Sequence, residues 1–595
     1  MTDQRSRQDP RVPCDLGEVM RIVSVSTAYT NGDYDSSNSA ISADGRYIAF
    51  VSFATNLVPN DTHAGPDILL RDMETCQTTL VSVALDGGRG NAGSSEPSIS
   101  ADGRYIAFQS YATNLVPNDT NGQADVFVRD QLLGTTRRVS ITPSGIQGNR
   151  ESENPSLSAT GRYVVFESWA SSLEGYANST EDVLLYDMQA NTLEVVSLTS
   201  DERPGDQPSV QPSVSADGRF VVFMSLADFD PNSTFFTSDI FLRDRQLGTT
   251  TRISLSNTGG DPNNRSQEPR ITPDGRYIVY HSLASNIAAN DQNNGFDVFL
   301  FDRQTGTTTL VSAVASGASA NNSSEFPSIS DDGRFVVFGS SASNFVSGDT
   351  NYCQDAYLLD RSTNSIARLS VTISGGQQYN CGAVFPVISG QGRFVAFDSG
   401  GGLIPFDMNN VLDVYRIDIQ TPLAPTLWAF RSGIGTIFLT WNDASFNESD
   451  FRVERSTDGI NNWVQIGTVG ANLVGYLDNG LPCGATYYYR VRAYRAEYMI
   501  YSAYSNVANV TTSACPAVPT NLTATTLSQT SIRLNWIDNA NDETNFGIER
   551  SPNGTSGWSQ IGSTVRNVAT FTDTVYLACG TTYYYRVRSY RSGDG

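Results

Sequence analysis

Carboxylate and amide side chains recur at a fixed spacing in five loops of the first 420 residues. The pattern is D-x-[NH]-x-x-x-D, and one copy places Asp119, Asn121 and Asp125 along a loop that contains Gly122. Oxygen ligands that alternate along such a loop suit a hard cation, and Ca²⁺ takes six to eight of them. The pattern therefore predicts Ca²⁺ sites, with the candidate ligands Asp61, Asp67, Asp119, Asn121, Asp125, Asp291, Asn293, Asp297, Asp349, Asn351, Asp355, Asp407, Asn409 and Asp413.

A structural role for the second aspartate of the pattern remains an alternative. Asp182 and Asp239 occupy that position in two further loops, where Tyr176 and Ser233 replace the first aspartate. An aspartate that is present without its partner is typical of a side chain that accepts hydrogen bonds from loop amides.

These loops belong to a repeat of 57 to 59 residues, centred on a glycine turn that occurs seven times. The turn glycines are Gly45, Gly103, Gly161, Gly218, Gly275, Gly333 and Gly392. In the second copy the alternation of apolar and polar residues predicts strands at 97–100, 104–108, 125–129 and 135–141. Four antiparallel strands in each of seven copies predict an all-β fold, a seven-bladed propeller over 21–420 that follows an extension at 1–20.

The closure of this ring is predicted from the two ends of the repeat region. The last copy stops near Thr421 without a fourth strand, and residues 21–26 match the fourth-strand sequences of the other copies. We expect 21–26 to complete the seventh blade, which would leave no sheet edge exposed. The S-x-D-G-R-x-[IV]-[AV]-F core, with the [DE]-[VI]-x-[VL]-x-D strand after it, resembles TolB-like (WD40-like) propeller repeats. The resemblance implies the fold and leaves the function open.

Beyond Pro422 the sequence changes character, and two segments repeat one another. Trp441 corresponds to Trp536, and the Tyr-Tyr-Tyr-Arg-Val-Arg segment at 487–492 corresponds to 583–588. With Leu481 and Leu577 placed six residues before a corner tyrosine, both segments resemble fibronectin type III domains, which are β-sandwiches. We expect the first at 422–514 and an incomplete second at 516–595, with further C-terminal modules.

Ligand-binding positions in a propeller should lie where the repeat varies. Two such positions hold mixed acid, amide and aromatic groups, and the candidate binding residues are Glu96, Gln109, Glu167, Glu268, His281 and Asp398. If these rings line one mouth of the channel they could recognise a ligand. Ordinary packing of variable side chains is the alternative.

Catalytic motifs are scarce in this chain. All 39 basic residues are arginine, and the two histidines, His63 and His281, lie in different repeats and outside a G-x-S-x-G context. A carboxylate pair such as Glu167 with Asp398 remains open as an acid and base for glycan chemistry.

Charge and cysteine content indicate the surroundings of the protein. A net charge of −23 without basic clusters argues against nucleic acid and anionic membranes as partners. No apolar run approaches the ~20 residues that span a bilayer, so we expect no membrane insertion. The pairings Cys14–Cys76, Cys353–Cys381 and Cys483–Cys515 suit the predicted folds and would fit a secreted or cell-surface protein, with buried free thiols as the alternative.

The sequence thus favours a non-catalytic, bacterial-type extracellular binding or scaffold protein. Its propeller would recognise a protein or glycan ligand, and the fibronectin type III modules would act as spacers. A glycan-active enzyme that uses carboxylates and a structural subunit of an extracellular filament are the alternatives.

Overall fold

The computed structural model describes residues 19–59, 65–174, 180–227, 229–230, 237–346, 348–373, 376–378, 384–405, 407 and 409–593. The chain divides into two compact units, Met1–Pro422 and Leu423–Gly595. Almost all regular structure in the described residues is β-strand. The exception is one helical turn at Ser171–Glu174.

The first unit is a seven-bladed β-propeller, and each blade is a four-stranded antiparallel sheet within the described residues. The first strands are Ser36–Ile41, Ser94–Ile99, Ser152–Leu157, Ser209–Val214, Ser266–Ile271, Ser324–Ile329 and Val384–Ile388. The second strands are Tyr47–Ser52, Tyr105–Ser110, Tyr163–Ser168, Phe220–Ser225, Tyr277–Ser282, Phe335–Ser340 and Phe394–Ser399. The third strands are Asp67–Asp72, Asp125–Asp130, Asp182–Asp187, Asp239–Asp244, Asp297–Asp302, Asp355–Asp360 and Asp413–Asp418. The fourth strands are Gln77–Leu80, Thr135–Arg138, Thr192–Val195, Thr249–Arg252, Thr307–Leu310, Ser365–Arg368 and, for blade 7, Met20–Ile22.

The glycine turn between the first two strands is held by side chains of the repeat itself. In blade 2 Gly103 has a φ of 73°, in the left-handed region that glycine adopts without strain. Ser100 Oγ donates a hydrogen bond of 2.6 Å to Asp102 Oδ1 within the turn. Arg104 binds Asp130 through two hydrogen bonds of 3.0 and 2.7 Å, which fastens the turn to the end of the third strand.

The hydrophobic core lies between adjacent blades. One cluster joins Val126 and Val128 of blade 2 to Val164 and Phe166 of blade 3, all essentially inaccessible to solvent. A blade therefore buries its apolar faces only against its neighbours, as expected of short repeats that stack.

The ring closes between the two ends of the repeat region. Met20–Ile22 pairs antiparallel with Asp413–Asp418, with Met20 opposite Ile417 and Ile22 opposite Tyr415. The paired strand is shorter and begins earlier than the predicted 21–26. Val23 N still donates to Val414 O at 2.7 Å, after which the chain forms an isolated bridge between Val25 and Asn31. On the turn side, Gln391 N of blade 7 donates to Ala43 O of blade 1 at 2.9 Å.

The second unit contains two β-sandwiches. The strands of the first are Leu427–Gly433, Thr436–Trp441 and Gly475–Asp478 in one sheet, and Asp450–Ser456, Val464–Gly470, Thr486–Arg495, Ile500–Tyr501 and Ala508–Thr511 in the other. The strands of the second are Thr520–Ser528, Ser531–Ile537 and Thr570–Asp573 in one sheet, and Asn545–Ser551, Ser559–Val565 and Tyr584–Tyr590 in the other. Trp441 and Trp536 lie in the two cores, 2% and 6% exposed. Over the described ranges, no helix has the length and apolar character that a membrane crossing requires.

Candidate functional site

A central cavity of about 410 Å³ lies where the first strands of all seven blades meet. The first strand of each blade contacts that of the next, and blade 7 contacts blade 1, so the cavity is enclosed by a complete ring. One residue of each first strand, at equivalent positions in the seven blades, lies on the cavity wall with a φ between 47° and 56°. These residues are Asn38, Glu96, Asn154, Gln211, Glu268, Phe326 and Phe385.

A β-bulge at each of these residues produces the unusual backbone. In blade 2 the register between the first and second strands shifts between Ser95 and Ser98, around Glu96. Pro97 follows Glu96, and a proline holds the same position in the first strands of blades 2 to 7. A non-glycine residue at positive φ is uncommon. Because this conformation recurs at seven equivalent positions, we interpret the bulges as a regular element of the repeat that directs these side chains to the cavity.

The cavity wall has an aromatic part and a polar part. Phe326 and Phe385 of blades 6 and 7 have ring centroids 4.6 Å apart, and Phe385 is 40% exposed. Elsewhere on the wall Gln211 Nε2 donates to Glu268 Oε1 at 2.7 Å, and Arg270 lies 3.6 Å from Glu268. The cavity therefore offers an apolar ring surface together with amide and carboxylate groups.

The six candidate binding residues divide between the cavity and the blade interfaces. Glu96 and Glu268 line the cavity. The other four instead accept a hydrogen bond from the bulge amide of the next blade. These bonds are Asn154 N to Gln109 Oε1 at 2.8 Å, Gln211 N to Glu167 Oε2 at 2.8 Å, Phe326 N to His281 Nδ1 at 3.2 Å and Asn38 N to Asp398 Oδ2 at 2.8 Å.

Burial disfavours the charged forms of the carboxyl and imidazole groups at these interfaces. It raises the pKa of Glu167 to about 7 and that of Asp398 well above its usual range. It lowers the pKa of His281 to about 3, so this imidazole is uncharged. These four side chains, Gln109, Glu167, His281 and Asp398, thus connect neighbouring blades. The sequence does not reveal this role because the residues with left-handed backbone at the bulges are not glycines.

The carboxylate loop of blade 2 holds an arginine. Arg138 Nη1, from the end of the fourth strand, lies 3.0 Å from Asp119 Oδ1 and 3.1 Å from Asp125 Oδ2, and all three side chains are buried. Asn121 Nδ2 donates to Asp125 Oδ2 at 2.9 Å. The guanidinium group therefore takes the position between the carboxylates where the sequence predicts a Ca²⁺ ion.

Three other blades repeat this arrangement with different details. In blade 6, Arg368 Nη1 lies 3.3 Å from Asp349 Oδ1 and 3.7 Å from Asp355 Oδ2, while Asn351 Oδ1 accepts a hydrogen bond from Cys353 N. In blade 4, Arg252 pairs with Asp230, Asp239 and Asp261. In blade 1, Asp67 pairs with Arg89, and Asp61 lies outside the described residues.

Blade 5 has both carboxylates and no arginine beside them. Within the described ranges, no cationic side chain pairs with Asp291 or Asp297, whose carboxyl groups are close enough to share a hydrogen bond. Ser312 Oγ donates to Asp297 Oδ1 at 2.6 Å, and no N–H or O–H group of the described residues is placed to donate to the buried Asp297 Oδ2. Burial, with a contribution from Asp291, raises the pKa of Asp297 to about 8. Asn293 lies alongside and donates through Nδ2 to Ala320 O at 2.8 Å.

Blade 7 has a similar pair formed by Asp407 and Asp413. Ser24 Oγ donates to Asp413 Oδ1 at 2.5 Å, and Tyr415 donates to Asp407. Asn409 Nδ2 donates to Gly32 O at 3.0 Å. Burial raises the pKa of Asp413 to about 7. In the part of the chain that the structure describes, no three His, Cys, Asp or Glu side chains cluster to hold a metal, so a cation here would also need amide, carbonyl or water oxygens.

The structure contains the Cys483–Cys515 disulfide that the sequence predicts. Cys76 and Cys353 are each disulfide-bonded as well. Cys14 and Cys381, their expected partners, lie outside the described residues.

Comparison with known proteins finds distant likenesses. No family model matches the chain. A Kelch domain-containing protein of Saccharolobus solfataricus is 27% identical over 133 residues, which is 22% of this chain and 17% of that protein, so the match spans about a sixth of the relative.

Two solved structures are similar to this chain at low identity. A putative TolB from Agrobacterium tumefaciens is 16% identical over 55% of this chain and 90% of its own, with a TM-score of 0.32. A prolyl endopeptidase structure is 11% identical over 70% of this chain and 56% of its own, with a TM-score of 0.39. These scores are too low to assign a family or an activity.

Proposed function

We propose that this chain is a non-catalytic binding protein that works outside the cytoplasm and recognises a glycan at the central cavity of its propeller. The observation that carries the proposal is the composition of the cavity wall. Phe326 and Phe385 form an apolar ring surface, while Glu96, Gln211 and Glu268 add hydrogen-bonding groups. Binding sites typically combine apolar and aromatic walls with a few placed polar groups.

A carbohydrate suits this wall better than a peptide segment. Sugar rings present an apolar face of C–H groups, which packs on aromatic rings, and a rim of hydroxyl groups, which both donate and accept hydrogen bonds. The amide of Gln211 and the carboxylate of Glu268 supply both kinds of partner on one wall. A protein ligand remains the second candidate because the same groups bind peptide amides.

The alternative of carboxylate catalysis has less support. Glu167 and Asp398 are 4% and 0% exposed, and each accepts a hydrogen bond from the backbone of the next blade. A general acid must come within hydrogen-bonding reach of the substrate oxygen that it protonates. These two side chains do not line the cavity where a substrate would sit.

The C-terminal sandwiches fit a spacer role, and the cysteines support an oxidising compartment. Trp441 is buried in the first core. In the second sandwich Ala578 N donates to Tyr583 Oη at 2.9 Å, as in the tyrosine corner of fibronectin type III and related domains. The Cys483–Cys515 disulfide is of the kind that persists in secreted and cell-surface proteins.

Binding of the whole chain to a panel of immobilised polysaccharides tests the proposal. Phe385→Ala removes one of the two aromatic rings of the cavity wall. For any polysaccharide to which the wild-type protein binds, we expect this variant to bind at least tenfold more weakly. Tyr352→Ala is the matched control because Tyr352 is 91% exposed and does not line the cavity. Retention by no polysaccharide, or equal binding of wild type and Phe385→Ala, would overturn the proposed glycan recognition.

A further inference from the structure

In blades 1, 2, 4 and 6, an arginine from one of two positions outside the loop neutralises the carboxylates of the loop. The first position is the last residue of the fourth strand, which is Arg138 in blade 2, Arg252 in blade 4 and Arg368 in blade 6. The second lies nine residues later and is Arg89 in blade 1.

Blade 5 has the carboxylates of blade 2 but neither arginine. The strand register shows that Leu310 is the structural equivalent of Arg138. Arg138 lies opposite Phe127 in blade 2, and Leu310 lies opposite Phe299 at the same place in the sheet of blade 5. The second position in blade 5 is Ser319, whose Oγ accepts a hydrogen bond from Gln292 N at 2.9 Å. Blade 5 therefore places two carboxyl groups together without the cation that blades 2 and 6 provide.

Two adjacent buried carboxylates cannot both stay charged without compensation. Removing an ion from water costs several kcal/mol, and like charges nearby add to that cost. Asp297 is fully buried, and in the described residues no N–H or O–H group is placed to donate a hydrogen bond to its Oδ2. The equivalent atom in blade 2, Asp125 Oδ2, binds both Arg138 and Asn121.

We propose that Asp291 and Asp297 bind a Ca²⁺ ion in the position that the Arg138 guanidinium occupies in blade 2. The nearby side-chain donors are carboxylate, amide and hydroxyl oxygens, which suit a hard cation rather than zinc or copper. Asn293 and Ser319 are the neighbours that can add oxygen ligands, with water and backbone carbonyls for the rest. This proposal does not depend on the glycan proposal. Asp291 and Asp297 belong to the segment that joins the second and third strands of blade 5, whereas the glycan proposal concerns the cavity lined by the first strands.

Isothermal titration calorimetry with CaCl₂, on protein stripped with EDTA, tests the proposal. Leu310→Arg installs in blade 5 the arginine of blade 2, and we expect this variant to bind one Ca²⁺ ion fewer than the wild type. Asp297→Asn removes one charge without changing the shape, and we expect the affinity of that site to fall at least tenfold. Arg138→Leu makes the reverse change in blade 2, and we expect one additional Ca²⁺ ion.

Circular dichroism verifies that each variant is folded, and Asp297→Asn decides the question if Leu310→Arg does not fold. The proposal is overturned if the wild type binds no Ca²⁺ at 10 mM. It is also overturned if the folded Leu310→Arg variant binds as many ions as the wild type, or if Asp297→Asn binds Ca²⁺ with unchanged stoichiometry and affinity.

Discussion

Blades 2 and 5 contain the same loop pattern, yet their carboxylates have different surroundings. In blade 2 the Arg138 guanidinium lies between Asp119 and Asp125. In blade 5 Leu310 occupies the position of Arg138, and no N–H or O–H group of the described residues donates to the buried Asp297 Oδ2. A repeated motif therefore does not define a repeated site, because a residue outside the motif decides whether the carboxylates are already neutralised.

The stability of blade 2 should depend on its arginine more than that of blade 5 depends on its leucine. Arg138→Leu leaves two buried carboxylates without a cation, and removing one partner of a buried ion pair costs about 3–5 kcal/mol. We expect the free energy of unfolding to fall by about this amount, as measured by guanidinium denaturation of the whole chain in EDTA.

The matched change in blade 5 is Leu310→Ala. Leu310 is only partly buried, so we expect a loss of about 1–2 kcal/mol in the same denaturation. Excess Ca²⁺ should restore part of the stability that Arg138→Leu loses. Equal losses for the two variants, together with no Ca²⁺ effect on Arg138→Leu, would remove the distinction between the two blades.

The pH dependence of stability gives a second contrast. Burial and the neighbouring Asp291 raise the pKa of Asp297 to about 8 in the folded chain. A carboxyl group with a higher pKa when folded binds more protons in that state. Its contribution to stability is therefore full below the unfolded pKa of about 4 and is lost as the pH rises through 8. In EDTA we expect a decline of up to about 1.4 kcal/mol per pH unit between about pH 5 and 8 from this group.

Asp297→Asn isolates this contribution because other buried carboxyl groups, such as Glu167 and Asp413, also have raised pKa values. Guanidinium denaturation at several pH values should show a shallower decline for Asp297→Asn than for the wild type. Leu310→Arg should also flatten the decline, since a guanidinium beside the pair lowers the carboxyl pKa. Identical pH profiles for the wild type and both variants would show that Asp297 titrates normally in the folded chain.

The sequence predicted the propeller because its signals are local and repeated. Gly103 and its six equivalents mark the hairpin turns, and the match of 21–26 to the fourth strands predicted closure, which the pairing of Met20–Ile22 with Asp413–Asp418 confirms. Strand bounds were less accurate. The first strand of blade 2 was expected at 97–100 and runs over Ser94–Ile99, because the bulge at Glu96 interrupts the two-residue alternation.

The candidate sites were harder to predict because they depend on contacts between distant residues. Glu96 and Phe326 share no chemistry that signals a left-handed backbone, so the ring of bulges was not visible in the sequence. The hydrogen bond from Asn38 N to Asp398 joins residues 360 positions apart. The role of Arg138 did have a signal in the sequence, because the last residue of the fourth strand is arginine in blades 2, 4 and 6 and apolar in blades 1, 3 and 5. The strand register was needed to show that this arginine reaches the carboxylates of the loop.

A crystal of the whole chain grown with Ca²⁺ and measured at a long X-ray wavelength would test the contrast between blades 2 and 5 most directly. We expect an anomalous difference peak between the carboxylates of Asp291 and Asp297, with none between Asp119 and Asp125. A peak at Asp119 and Asp125 with Arg138 displaced, or no peak at Asp291 and Asp297 in millimolar Ca²⁺, would contradict the assignment of the cation site to blade 5.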